Sequence, residues 1–128
     1  MLHLNKDTKT PKLEFDWKEV YMPQPGMLGT ESVGSDSYSV VCVSVDSPKR
    51  VTVIRLWGLD ENVIEDNPDI DIDDEGVRWM DKKNWKKYSP SKEEKWSLRK
   101  NGRWYQMNAS HSSNIHWGIA NPYRDPSF

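Results

Sequence analysis

The sequence predicts a mainly β fold, a small antiparallel sandwich or open barrel built from hairpins with little helix. Three stretches carry that expectation: YSVVCVSV (38–45), VTVIRLW (51–57) and KWSLRKNGRWYQM (95–107). β-branched and aromatic residues dominate each, and each is punctuated by turn-forming residues at strand-length intervals.

The first two form an antiparallel hairpin around Asp46-Ser47-Pro48-Lys49-Arg50, where the proline cannot continue a central strand. On the second strand Thr52, Ile54 and Leu56 share one face, and Val51, Val53, Arg55 and Trp57 share the other. Both faces are largely apolar, which places the hairpin in the middle of the fold, covered on both sides. In the third stretch Asn101-Gly102 predicts a two-residue hairpin turn. Arg99 then faces Trp104, Leu98 faces Tyr105 and Trp96 faces Met107. That register buries Trp96, Leu98, Tyr105 and Met107 and turns Trp104 outward beside Arg99.

Around these, LEFDWKEVY (13–21) alternates as a first strand and PQPGMLGTESVGSDS (23–37) reads as a loop. Residues 83–88 read as a strand leading through Ser-Pro-Ser into the Asn-Gly hairpin, making a three-stranded meander. Ser91-x-x-Glu94 matches a helix capping box, but a helix there would run into the Asn-Gly turn. Residues 108–128 are rich in turn formers, with one short strand near 114–118.

The length fits one domain, residues 1–128, with an acidic connection at about 60–76 and a tail at about 119–128. Seven Trp and five Tyr compensate for a low aliphatic content, because each ring buries a large area. Cys42 is the only cysteine, so no intrachain disulfide forms and a buried thiol in a reducing compartment is expected. The opening MLHLNKDTKTPK has no apolar run of leader length, and no stretch is long and apolar enough to span a bilayer. The expectation is a cytoplasmic protein with no membrane partner.

The net charge of −2 hides an asymmetry. Residues 60–75 hold nine acids and no base, whereas 78–103 hold ten Lys or Arg against three acids. This pattern describes two solvated segments, or one copy docking on another in a homo-oligomer or virion component. Asp69, Asp71 and Asp73 have the alternate spacing that opens an EF-hand loop, but no frame supplies both the turn glycine and the closing glutamate. The better reading turns Ile70 and Ile72 inward and keeps the aspartates in water, with no metal expected. His111 and His116 do not share a face on strand or helix, and no nucleophile elbow or glycine-rich phosphate loop is present. A non-enzymatic protein without a cofactor is expected.

The most suggestive chemistry is aromatic and basic. Trp79, Trp85, Trp96 and Trp104 are threaded among Arg78, Lys82, Lys83, Lys86, Lys87, Lys95, Arg99 and Arg103. Rings with cations suit a nucleotide or a single strand of nucleic acid. An amphipathic strand with a buried aromatic row gives the same pattern.

Four groups of residues resemble a set of small phage and prophage β-rich proteins. They are Ser35-Asp36-x-Tyr38; Ser47-Pro48-Lys49-Arg50-Val51-Thr52-Val53; Leu98-Arg99-Lys100-Asn101-Gly102-Arg103-Trp104; and the ending Tyr123-Arg124-Asp125-Pro126-Ser127-Phe128. The similarity covers roughly residues 26–57 and 88–128 and is weakest over 60–85. Accessory proteins of this kind are suspected of countering host defence, and some, such as anti-Thoeris sponges, sequester cyclic nucleotide signals without degrading them. The resemblance implies a binder of a cyclic nucleotide or similar small anionic ligand, or of a host defence protein, in the host cytoplasm. Arg99, Arg103 and Trp104, with Tyr123 and Arg124 from the tail, are the expected ligand-binding residues. The chain departs from the pattern at Gly118-Ile119-Ala120-Asn121, where an arginine would follow the glycine. A single-stranded nucleic-acid binder is the alternative.

Overall fold

The computed structural model describes residues 12–15, 18–33, 36–59, 66–100, 102–107 and 114–118. They form a mainly β structure, as the hairpin pattern predicts. The elements are β1 (Lys12–Phe15), β2 (Lys18–Tyr21), β3 (Leu28–Val33), β4 (Asp36–Ser47), β5 (Arg50–Arg55), β6 (Ile70–Ile72) and β7 (Arg78–Met80). A 3₁₀ helix (Lys82–Tyr88) follows, then β8 (Glu94–Leu98), β9 (Trp104–Gln106) and β10 (Asn114–Trp117). No helix among the described residues is long and apolar enough to cross a membrane.

Six strands form one antiparallel sheet in the order β10-β3-β4-β5-β8-β9, nearly closed into a barrel. Neighbours in the sheet are neighbours in the sheet's own chain order, and β10 returns to pair with β3. The seam between β9 and β10 is bridged by Trp104, whose backbone N–H donates to Asn114 Oδ1 at 2.8 Å. Its ring also meets Trp117 edge-on, 6.5 Å between centroids.

The β4–β5 hairpin forms as its sequence predicts, turning at Pro48 and Lys49 with Ser47 opposite Arg50. It occupies the middle of the sheet, and both its faces are covered. Inside the barrel Val40, Cys42, Val51 and Val53 pack with Trp96, Leu98, Trp104, Ile115 and Trp117. On the outer face Leu28, Val41, Ile54, Leu56 and Leu59 pack under a lid of Ile70, Met80 and Trp85. Cys42 is fully buried, and burial pushes its thiol up to about 12.

Five expectations are corrected. Residues 23–37 are not all loop: Leu28–Val33 is a strand, because pairing with β4 on one side and β10 on the other overrides its Gly and Ser content. Residues 83–88 are not a strand. Asp81 caps a 3₁₀ helix there by accepting from the Lys83 N–H, and Trp85 is driven onto the outer core with its indole N–H on Met80 O at 3.0 Å. The strand paired with β8 on that side is β5, so the three-stranded meander is replaced by β5-β8-β9. Ile70 is buried as expected, but Ile72 is half exposed at 50%.

The fifth correction is the register of β8–β9. The loop spans three residues, 100–102, closed by Arg99 N–H to Arg103 O at 2.9 Å and Gly102 N–H to Arg99 O at 3.0 Å. Gly102 has φ 81°, the left-handed position that a three-residue hairpin needs. Leu98 therefore faces Trp104, not Tyr105. A slip of one residue reverses the face of every side chain. Trp104 is thus turned inward and is 3% exposed, the opposite of its expected orientation.

Candidate functional site

The five residues expected to bind ligand are not assembled into one place among the described residues. Arg99 and Arg103 are exposed at the β8–β9 turn, while Trp104 faces the barrel interior. Tyr123 and Arg124 lie outside the described residues. The combination sought there, an exposed ring beside a guanidinium, occurs instead at the other end of β5, roughly 17 Å from Arg50 at ~3.3 Å per residue.

That place follows from strand alternation. Val51 and Val53 point into the barrel, so Arg55 two residues on points the same way at the mouth. A guanidinium in that position needs a partner, and β3 supplies one. Glu31 sits opposite Tyr38 on β4 and Ile115 on β10, and it is completely buried. Arg55 Nε donates to Glu31 Oε1 at 2.7 Å and Nη2 donates to Oε2, a two-pronged ion pair. Arg55 itself is 18% exposed. The hydrogen bonds to Glu31 raise the guanidinium above its ordinary value against the opposing effect of burial, and the Glu31 and Glu94 charges add to the rise. Glu94 shares the face because it pairs with Val53.

Two rings complete the mouth. The Arg55 guanidinium lies 4.9 Å from the Tyr38 ring centroid and 5.1 Å from that of Trp57. Tyr38 meets Trp57 edge-on, 5.3 Å between centroids. Trp57 is 45% exposed, a large ring held in water. Its backbone is fixed on both sides. Arg55 N–H donates to Ser91 Oγ at 2.8 Å, and Ser91 N–H returns to Arg55 O at 2.9 Å. Gly58 N–H donates to Tyr88 O at 2.9 Å, and a Cβ at position 58 would lie 3.3 Å from the Tyr88 backbone. The absence of a side chain at Gly58 lets this turn press against the 3₁₀ helix.

Glu31, Tyr38 and Trp57 were not among the expected site residues. One signal was present: a lone arginine ending the apolar row Val51-Val53-Arg55 must find a carboxylate. Locating that carboxylate required β3, which reads as loop.

The aspartates of 69–73 have structural roles. Asp73 Oδ1 accepts from the N–H of Glu75 and of Val77, and Oδ2 accepts from the Trp79 indole at 3.1 Å. Asp69 accepts from the Tyr88 hydroxyl at 2.6 Å and from Lys87 at 3.3 Å, which clips the acidic segment to the basic helix within one chain. Among the described residues no three His, Cys, Asp or Glu side chains are grouped to hold a metal.

Fold and site together define a small meander barrel with an aromatic–guanidinium patch at its mouth. The chain matches no protein-family model, no curated protein and no solved structure.

Proposed function

We propose that this chain is a non-catalytic binding domain of the phage accessory kind, acting in the host cytoplasm by occupying a surface of a defence protein. The observation that carries the reading is Trp57, exposed yet fixed between Tyr38 and an Arg55 that buried Glu31 holds in place. Trp, Tyr and Arg are the residues that dominate protein-interface energetics. A ring already immobilised in the free protein loses little further freedom on binding.

Sequestering a nucleotide-like anion fits this patch less well. The Arg55 charge is matched by Glu31, and Glu94 adds a second carboxylate within electrostatic reach, leaving no surplus positive charge for a phosphate.

The test compares tagged parent, Trp57→Ala and Arg99→Ala in capture from host extract, alongside calorimetry against cyclic nucleotides. The expected outcome is one host protein held in stoichiometric amount by parent and Arg99→Ala, released by Trp57→Ala, with no heat from nucleotides. Nucleotide binding that Trp57→Ala abolishes would transfer the patch to the sponge reading. Equal capture by all three proteins would sink the proposal.

A further inference from the structure

We propose that the tips of the β4–β5 and β8–β9 hairpins form a second binding surface, for the phosphate backbone of duplex nucleic acid. It is independent of the Trp57 patch and lies at the opposite end of β5.

Two segments remote in sequence meet here. Leu98 N–H donates to Lys49 O at 2.8 Å, so the two tips stand side by side. Lys49, Arg50, Arg99, Lys100 and Arg103 are all exposed on them. No acid occurs in 47–50 or 97–103, although the chain as a whole carries net charge −2. The acid next in sequence, Asp46, is engaged by Thr52 Oγ1 at 2.7 Å, Ser44 Oγ at 2.9 Å and Lys95 Nζ at 3.2 Å. Lys49, Arg50, Arg99 and Lys100 make no ion pair among the described residues. Cations concentrated against the sign of the whole molecule make a local positive field.

The arrangement favours a duplex over a single strand. Single-strand sites pair cations with rings on which bases stack. Here Trp104, the ring beside Arg103, is buried against Trp117. Neighbouring hairpins in a sheet have axes about 10 Å apart, two strand spacings. That separation is comparable to the roughly 12 Å width of the DNA major groove, so each tip can reach one phosphate strand.

Fluorescence anisotropy with a labelled duplex, a single strand of the same length, and anionic phospholipid vesicles tests this. Duplex affinity is expected to exceed the other two and to fall roughly 100-fold between about 50 and 200 mM salt, as about four phosphate contacts require. Lys49→Ala/Arg50→Ala and Arg99→Ala/Lys100→Ala should each reduce the salt slope by about two while the unfolding midpoint stays unchanged. No duplex binding at low salt overturns the proposal. So does an unaltered slope in both variants, tighter binding of the single strand with Trp quenching, or tighter binding of vesicles.

Discussion

Arg55 with Trp57, and Arg99 with Trp104, pair the same residue types at two ends of one barrel, yet their environments are reversed. At the mouth the arginine is neutralised by a buried carboxylate and the tryptophan stands in water. At the β8–β9 turn the arginine is exposed and the tryptophan is 3% exposed. The difference arises from register and partner, not composition. One extra loop residue turns Trp104 inward, and one glutamate on a neighbouring strand removes the free charge of Arg55.

The largest effect that separates the two ends is expected from the rings. Trp104→Ala should cost about 3–5 kcal/mol, the range for emptying a large buried aromatic site. Trp57→Ala should cost about 1 kcal/mol, since mainly its edge-on contact with Tyr38 and its contact with Arg55 are lost. Urea unfolding of both variants measures the contrast, and equal losses would dissolve it. The arginines come next. Glu31→Ala should cost about 3 kcal/mol by leaving a largely buried guanidinium unpaired, and Glu31→Leu with Arg55→Leu should recover much of that loss. Arg99→Ala should shift stability by less than about 0.5 kcal/mol. A double variant as unstable as Glu31→Ala would show that the mouth needs the ion pair itself.

The same comparison explains what could be read from the sequence. β4 and β5 were legible because their residues alternate strongly and a proline marks the turn between them. So was the coverage of both faces, from the apolar rows of Ile54 and Leu56 on one side and Val51 and Val53 on the other. β3 was not legible. Its strand state comes from partners β4 and β10, which a local reading of Gly29, Thr30 and Ser32 does not contain. With β3 went Glu31, and with Glu31 the reason Arg55 can sit inside a barrel. Trp104 was misplaced for another reason: Asn101-Gly102 is compatible with two loop lengths, and the lengths differ in which face is buried. Burying Trp104 with Trp96, Leu98 and Trp117 is a tertiary gain that the turn residues alone do not encode.

That account makes Gly102 the hinge of the register. Its φ of 81° suits the three-residue loop, so Gly102→Ala should cost about 1 kcal/mol through backbone strain. If Gly102→Ala instead let the hairpin adopt another register, Trp104 would become solvent-exposed and its emission would shift to the red. Retained blue emission with a modest loss of stability is the expected result.

The smallest effect is expected from pH, and it separates the lid from both arginine–tryptophan pairs. Asp69 is held below its ordinary value by the Tyr88 hydroxyl first and then by Lys87, and it ties the acidic segment to the 3₁₀ helix. A carboxylate lowered by folding stabilises fully above its unfolded value of about 3.9 and loses that contribution as pH falls through its folded value. Stability should therefore decline as pH falls below about 4, and Asp69→Asn should flatten that decline while lowering the plateau at neutral pH. Tyr88→Phe should do the same, because it removes the hydroxyl that lowers Asp69. An acid limb unchanged in both variants would detach the lid from the acid response and leave it to carboxylates elsewhere. Lys82→Ala and Lys86→Ala should leave this limb unchanged, because neither lysine is among the groups that lower Asp69, whereas Lys87 and Lys83 are.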